Sequence, residues 1–412
     1  MKKIKASKER ISVEIVLLMV IIILAERCFY LIDIDKISIP GIFNYYDISL
    51  FICIVWSVYV MLKYKYINIK YNYKYSILFV IILAIISSVR SNQLYGQSIS
   101  LGIRPQRFFI ILMLMYFPFV KFLSVEENRI KIIKVIYKLG ILELGIFIFQ
   151  YLISNKILFL HVVTSQRYGG TRLHFEAVLL SILFFISLNN YLNGKNKIKN
   201  IVLIIMLIFY NVFIIRGRLA LMGLVISFGI TVLLWRKNRF LKYCIVICGV
   251  LVFIIGVNTS ILGDYVNSVT KNSIQYDANS QIRKLGKEYY KDKLSQSPLL
   301  GRGYINELNK EALLASGAEH KYLLVDNGVV AFAFMYGLIG IIWLGILFYK
   351  IFRQSVNAYV KNNNYMALSY VIYLIAISTN ILEFYWKYGP LYFVIIIALL
   401  ENSGRNNKEN FN

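Results

Sequence analysis

Apolar stretches of about 20 residues recur along the whole chain and are separated by short breaks that carry charge. A helix needs about 20 mostly apolar residues to cross the roughly 30 Å hydrocarbon core of a bilayer. In lipid every backbone polar group must be satisfied within the protein, which a helix achieves by itself. With 58% hydrophobic and only 16% charged residues, the chain is predicted to be an all-α integral membrane protein.

The hydrophobic pattern predicts a single polytopic membrane domain, 1–412, with about 12 transmembrane helices. One long extracytoplasmic loop, about 261–326, is the only segment with room for short amphipathic helices. The first apolar run, 11–25, has no clear small-x-small cleavage site, so we expect it to remain as the first helix. The predicted spans are 11–32, 48–62, 76–90, 108–121, 135–154, 176–193, 201–215, 219–235, 243–260, 327–349, 365–385 and 390–401.

The distribution of positive charge predicts the orientation. With the N-terminus inside, the cytoplasmic segments hold 26 of the 46 Lys and Arg residues, and the short outer loops hold 11. The positive-inside rule, which counts short loops, therefore places both termini in the cytoplasm. This orientation accounts for much of the net charge of +25, so the basic composition does not indicate nucleic-acid binding.

The type of cation differs between the two sides. The inner segments carry 20 Lys and 6 Arg, whereas the short outer loops carry only 3 Lys against 8 Arg. Arginine presents a planar fork that binds phosphate or carboxylate through two hydrogen bonds, and lysine does not. The outer arginines therefore indicate an anionic ligand, although anchoring at lipid headgroups is the alternative. These arginines are Arg27, Arg90, Arg104, Arg107, Arg167, Arg172, Arg216 and Arg218.

The clearest case is the sequence RGR, 216–218, inside an otherwise uncharged apolar run from 201 to 235. As one helix this run would be about 52 Å long, too long for a bilayer. We expect the chain to reverse at Gly217, with Arg216 and Arg218 at the outer interface. No acid lies within 177–263, so the partner of these arginines is expected to come from elsewhere in the fold or from an anionic ligand.

The long loop supplies further candidates. The segment 279–296 places Ile282, Leu285 and Tyr289 on one side of a predicted amphipathic helix lying on the outer membrane surface, with its basic residues largely on the others. SPLLGRGY, 297–304, then predicts a glycine-flanked turn that presents Arg302. After it, Glu319, His320 and Asp326 precede the next span, and His320 is a candidate general base or hydrogen-bond donor.

These local patterns occur in an order that resembles the O-antigen ligase/polymerase superfamily, the bacterial membrane glycosyltransferases of the Wzy polymerase and lipopolysaccharide ligase type. The sequence GRLALMGLVI resembles the family's mid-chain S-R motif, with Gly217 in place of serine. Arg283 followed by SPLLGRG resembles its outer-loop motif. His320, the DNG at 326–328 and YGLIG resemble the segment that leads into the next helix. The resemblance covers about 210–345.

The resemblance implies an inverting, metal-independent glycosyl transfer on the outer face of the membrane, with no cofactor. The implied donor is a glycan linked to undecaprenyl pyrophosphate, whose leaving group preplaced arginines would stabilise. Arg218 and Arg283 then resemble the pyrophosphate-binding pair, and His320 the residue on the acceptor side; these three are the catalytic candidates. Arg216, Arg302, Arg172 and Asp326 are added as substrate-binding candidates. Expected partners are membrane lipids, a chain-length regulator and a flippase.

Two classes of function remain open. Within the family the DNG form favours a polymerase that joins repeat units into O-antigen or capsular polysaccharide over a ligase that transfers the glycan to lipid A core. A polysaccharide flippase would also have about twelve spans, but such transporters usually show two related halves, and no repeat relates 1–200 to 201–412. The intramembrane acids Glu143 and Glu383 would fit a proton-coupled transporter or simple hydrogen-bond partners between helices.

Overall fold

The computed structural model describes residues 12–37, 45–154, 156–167, 170–235 and 278–403. Within these ranges the chain forms fourteen α-helices and one two-stranded sheet. The helices are α1 (Val13–Ala25), α2 (Tyr45–Lys63), α3 (Lys74–Tyr95), α4 (Ile99–Leu114), α5 (Tyr116–Phe122), α6 (Glu126–Ile153), α7 (Val178–Leu192), α8 (Lys197–Phe209), α9 (Arg218–Leu233), α10 (Ala278–Ser295), α11 (Lys310–Ala315), α12 (Gly328–Asn362), α13 (Tyr365–Ile377) and α14 (Gly389–Ser403). Four short 3₁₀ helices lie at Arg27–Tyr30, Ile34–Ile37, Ala318–His320 and Leu324–Asn327.

The helical architecture predicted from the apolar runs is confirmed. A helix occupies each predicted span except 243–260, which lies outside the described residues together with the loop before 278. Five helical segments in the described ranges are long and apolar enough to cross a membrane, and several shorter apolar helices accompany them. The number of twelve spans stays a prediction. The five long segments are Tyr45–Lys63, Lys74–Tyr95, Ile99–Phe122, Lys197–Ile214 and Leu324–Asn362.

One element is not helical. Strands β1 (Thr164–Arg167) and β2 (Gly170–Leu173) pair antiparallel, with Ser165 opposite Arg172. The hairpin lies in the loop between α6 and α7, and the fold remains predominantly α-helical as predicted. Short polar stretches with threonine and glycine can satisfy their backbone groups across a pair of strands without an apolar periodicity.

The core consists of short helices that are apolar all round. In α14 every residue from Gly389 to Asn402 is buried, and at about 22 Å for 15 residues this helix is shorter than the hydrocarbon core. Helices α7 and α13 are also buried over most of their length. Longer helices surround them and expose large apolar side chains such as Phe51 and Val58 of α2, as expected for surfaces that face lipid.

Segments predicted on the same side of the membrane contact one another. At one end of the bundle Lys63 pairs with Glu14, the Asn72 amide donates to Glu401 (3.0 Å) and Asn193 donates to the Asn363 carbonyl (3.1 Å).

At the opposite end Arg107 pairs with Asp47, Lys387 pairs with Glu176 and Gln97 donates to the Tyr304 carbonyl (2.9 Å). These contacts group the connecting segments into two sets that agree with the two predicted sides. The second set carries the functional candidates of the sequence analysis.

Helix α12 is broken at Gly337, and the turn 297–303 fills the break. Gly337 has φ 64° and ψ −162°, a conformation open essentially only to glycine. The amides of Arg302 and Gly303 donate to the carbonyls of Phe334 (2.7 Å) and Met335 (3.2 Å), and the amides of Leu338 and Ile339 donate to those of Pro298 (2.8 Å) and Leu299 (3.3 Å). The predicted glycine-flanked turn is thus confirmed, and its backbone completes the hydrogen bonding of the broken helix.

Replacing Gly337 by alanine should open this junction. A Cβ at position 337 would collide with the Leu299 carbonyl oxygen, and the strained backbone adds on the order of 3 kcal/mol. We expect Gly337→Ala to lower the midpoint of thermal unfolding of the purified protein by several degrees.

Gly345 of the same helix is the matched control, because a Cβ there meets nothing within 4 Å. Gly345→Ala should leave the midpoint unchanged. Equal midpoints for the two variants would contradict the role of the junction.

Candidate functional site

A cavity of about 550 Å³ opens at the end of the bundle where α9 begins and α13 ends. It brings together residues from the β1–β2 region, the α8–α9 junction, α10 and the segment after α13. Three of its lining residues, Arg172, Arg218 and Arg283, are site residues predicted from the sequence. The others are Phe175, Glu176, Ala177, Val178, Leu180, Ser181, Tyr210, Asn211, Ile215, Gly217, Leu219, Ala220, Met222, Tyr373, Asn380, Ile381 and Glu383.

The apolar run 201–235 is interrupted before Arg218 as predicted, whereas the reversal of the chain expected at Gly217 stays a prediction. Helix α8 continues as a π-helix, Tyr210–Ile214, and α9 then begins at Arg218. The two helices pack on different neighbours, α8 against α7 and α9 against α13.

Residues 217–220, the start of α9, all line the cavity. Amides in a first helical turn have no acceptor within their helix, and the helix dipole is positive there, so this end favours an anion.

The two arginines of RGR have different surroundings. Arg218 lines the cavity, whereas the Arg216 side chain is directed at the sheet. There its guanidinium lies against Gly170, where a Cβ would collide with it, and its Nε donates to the Phe213 carbonyl (3.2 Å). Arg172 of the same strand as Gly170 reaches the cavity. The β1–β2 hairpin therefore contributes one arginine to the cavity wall and supports another beside it.

Helix α10 supplies Arg283. Its Nη2 atom pairs with Asp326 Oδ2 at 3.2 Å, and its Nε is buried with no hydrogen-bond partner among the described residues. This pairing joins α10 to the DNG segment, which also approaches Gly286 so closely that a Cβ there would lie 3.2 Å from Asn327 Nδ2. Asp326 thus holds Arg283 in place and offers it partial compensation of charge.

The predicted helix at 279–296 is confirmed, but its predicted apolar face is wrong. Leu285 is 50% exposed, while Gly286 and Tyr290 are buried. The Tyr290 ring packs on Phe334 of α12 with centroids 5.0 Å apart. The physical reason is that small Gly286 permits the closest approach, which turns Arg283 and Lys287 inward.

The inward face of α10 is strongly positive. Lys287 Nζ donates to Asn380 Oδ1 (2.5 Å), one turn along the helix from Arg283. Burial, and then repulsion from Arg283 and Lys291, lowers the pKa of Lys287. Arg283 and Lys287 thus place two positive charges one helical turn apart on this face of α10.

Four predicted site residues do not line the cavity: Arg216 and Asp326, described above, and Arg302 and His320. Arg302 donates from Nε to Tyr95 Oη (3.1 Å) and its guanidinium lies over the Tyr95 ring, so it braces the turn 297–303 against α3. His320 is exposed, and its ring packs beside Tyr322 and Tyr289 with centroids 5.3 and 6.4 Å apart. Tyr289 lies about 9 Å along α10 from Arg283, which places His320 beside the arginine cluster but outside the cavity lining.

Several cavity residues were not among the candidates predicted from the sequence. Tyr210 and Asn211 lie in the π-helix, a rare element often found at functional sites, and the buried Tyr210 hydroxyl has no hydrogen-bond partner in the described ranges. Glu383 accepts a hydrogen bond from Tyr373 (2.7 Å). A polar residue inside an apolar run was the available signal for Asn211 and Glu383, whereas nothing in the sequence distinguishes Asn380.

The arrangement suits a multiply charged anion. Three guanidiniums and one helix N-terminus face one cavity, and the acids that also line it are Glu176, paired with Lys387, and Glu383. Such preplaced donors bind phosphate oxygens well because several can act on one ligand at once. They stabilise developing negative charge without reorganising.

The comparison with protein families agrees with this geometry. Residues 201–345 match the O-antigen ligase family. The match spans about a third of the chain and contains Arg216, Arg218, Arg283, Arg302, His320 and Asp326. It confirms the resemblance to the O-antigen ligase/polymerase superfamily. No curated protein gives a significant match.

The family match and the apolar helices of the chain together support a membrane enzyme that joins glycans. Its function is of the O-antigen ligase or polymerase type. Lipid-linked glycans and membrane lipids are the partners implied by this family. Arg172, Asn380 and Glu383 lie outside the matched segment, so the cavity combines family positions with residues from the rest of this chain.

The cavity predicts that replacement by lysine has different effects on pyrophosphate affinity at Arg283 and at Arg302, two arginines of the same long loop. Arg283→Lys should lower the affinity of the purified protein for inorganic pyrophosphate about tenfold or more, because lysine lacks the fork. Arg302→Lys should change it less than threefold, since Arg302 contacts Tyr95 instead. Titration calorimetry measures both, and equal losses would contradict the placement of the anion in this cavity.

Proposed function

We propose that the chain is a polymerase that joins oligosaccharide repeat units carried on undecaprenyl pyrophosphate into O-antigen or capsular polysaccharide. The observation that carries the proposal is the cavity in which Arg172, Arg218 and Arg283 meet the first turn of α9. The positive-inside rule supports placing this end of the bundle on the outer face of the bacterial cytoplasmic membrane. The DNG segment at 326–328 favours polymerase over ligase.

In this proposal the diphosphate of the donor lies among the three guanidiniums. Negative charge grows on the diphosphate as its bond to the anomeric carbon breaks, so the arginines stabilise the transition state more than the bound donor. The hydroxyl of a second repeat unit attacks the anomeric carbon from the opposite face and inverts it. Arg218 and Arg283 act on the leaving group, and Arg172 adds to the binding of the diphosphate. A flippase and a chain-length regulator are the expected partners of such an enzyme.

Deleting the gene in its host and resolving the surface polysaccharide by size tests the proposal. A polymerase predicts that the ladder of long chains disappears while single repeat units remain. Loss of all surface attachment would favour a ligase that uses lipid A core as the acceptor. An unchanged ladder would contradict both, and accumulation of repeat units on the inner leaflet would favour a flippase.

The role of the guanidinium fork at the start of α9 has its own test. Arg218→Lys keeps the charge and removes the two-point contact, so we expect the variant to restore less than one hundredth of wild-type polymer in the deletion host at normal protein level. Arg353 is the control, because it is exposed on α12 in a segment predicted on the other side. Arg353→Lys should restore the full ladder. Full restoration by Arg218→Lys would contradict binding of the diphosphate there.

A further inference from the structure

Glu383 lines the cavity, but binding of the diphosphate by the arginines assigns no role to this residue. It lies between α13 and α14, and its side chain forms part of the cavity wall with Arg218 and Arg283. Its Oε2 accepts a hydrogen bond from the Tyr373 hydroxyl at 2.7 Å. Its Oε1 is buried and has no hydrogen-bond partner among the residues that the structure describes. Tyr373 therefore fixes Oε2, while Oε1 remains able to accept a proton.

Two other acids in or beside the cavity are engaged in ion pairs. Glu176, which also lines the cavity, pairs with Lys387, and Asp326 pairs with Arg283. Within the described ranges Glu383 forms no ion pair with lysine or arginine. A buried carboxylate without a counter-ion is costly to keep charged and gains from taking up a proton. This is the property that a general base requires.

His320 meets this requirement less well. The histidine is exposed and does not line the cavity, so it has neither the enclosure nor the direct approach that Glu383 has. A base must come within hydrogen-bond reach of the hydroxyl it activates while the donor occupies the cavity. Glu383 shares the cavity wall with the arginines that would hold the donor's leaving group.

We propose that Glu383 is the general base that accepts the proton of the acceptor hydroxyl, a role that rests on the proposed function. The acceptor oxygen forms a bond to the anomeric carbon of the donor, and the bond from that carbon to the diphosphate oxygen breaks. The bonding electron pair leaves with the diphosphate, which the arginines stabilise. The proton of the acceptor hydroxyl passes to Oε1 of Glu383 and later to water, which restores the carboxylate.

Tyr373 is a positioning residue in this scheme. Its hydroxyl donates to Oε2, so Oε1 is the oxygen left to receive the proton. The tyrosine is itself fixed, because α9 approaches α13 at Gly223, where a Cβ would lie 2.9 Å from Tyr373 Cδ2. A rigid partner of this kind limits the carboxylate to one orientation.

The first test replaces the carboxylate by its neutral isostere. Lipid-linked repeat units extracted from the deletion host serve as donor and acceptor for the purified full-length protein. We expect Glu383→Gln to lower the rate of joining at least 100-fold, the size of a general-base contribution. Its affinity for inorganic pyrophosphate should stay within threefold of wild type, and Glu383→Asp should regain part of the rate.

Glu401 provides a matched control. It is also a buried glutamate that accepts a hydrogen bond from a tyrosine, Tyr116, but it lies at the opposite end of the bundle. Glu401→Gln makes the same replacement of a carboxylate by an amide, and this variant should join repeat units at the wild-type rate per folded protein. If Glu401→Gln and Glu383→Gln lose the same fraction of activity, both acids are structural and the proposal for Glu383 is wrong.

The second test separates positioning from stability. Tyr373→Phe should lower the turnover rate about tenfold with little change in KM, because the carboxylate remains but loses its fixed orientation. An increase in KM with unchanged turnover would overturn the positioning role.

The experiments distinguish failure of the proposed function from failure of the role proposed for Glu383. Wild-type protein that fails to join repeat units would overturn the proposed function and this role together. Wild-type joining accompanied by Glu383→Gln activity within threefold would overturn the role of Glu383 alone.

Discussion

The hydrogen bonds between the turn 297–303 and the broken helix α12 support the rest of the site. A helix interrupted inside a membrane protein leaves amides and carbonyls without partners, and each unsatisfied group costs several kcal/mol away from water. Here the turn supplies acceptors for Leu338 and Ile339 and donors for Phe334 and Met335. The same turn follows directly on α10. The position of the helix that carries Arg283 therefore depends on backbone bonds made some 15 to 20 residues further along the chain.

A second constraint is the charge gathered in the cavity. Arginines drawn together at half-buried positions repel one another, and burial followed by repulsion from Arg283 and Lys291 lowers the pKa of neighbouring Lys287. Asp326 compensates Arg283 in part, and the dipole of α9 adds positive potential. The fold thus gathers cations at positions where burial and mutual repulsion make them unfavourable. Stability given up for such preorganisation is typical of sites that bind and stabilise negative charge.

Part of the fold and of the candidate site could be predicted from the sequence because the signals were physical and local. The excess of arginine over lysine in the outer loops, together with a run too long for one helix, identified Arg218, and the cavity brings it together with Arg172 and Arg283. The face of α10 could not be predicted from large apolar residues, because small Gly286 decides which side approaches Asn327. The cavity itself joins residues such as Tyr210 and Asn380 that lie some 170 positions apart, and no local pattern contains that information.

The junction between the turn and α12 is made by main-chain atoms and glycines, while the side chains of Leu299 and Leu300 remain exposed at 63% and 37%. The hydrogen bonds that attach the turn to α12 therefore do not depend on which side chains the turn exposes. Evolution can therefore change these side chains, and with them the outer surface of the turn, without breaking the main-chain hydrogen bonds that hold α10 in place.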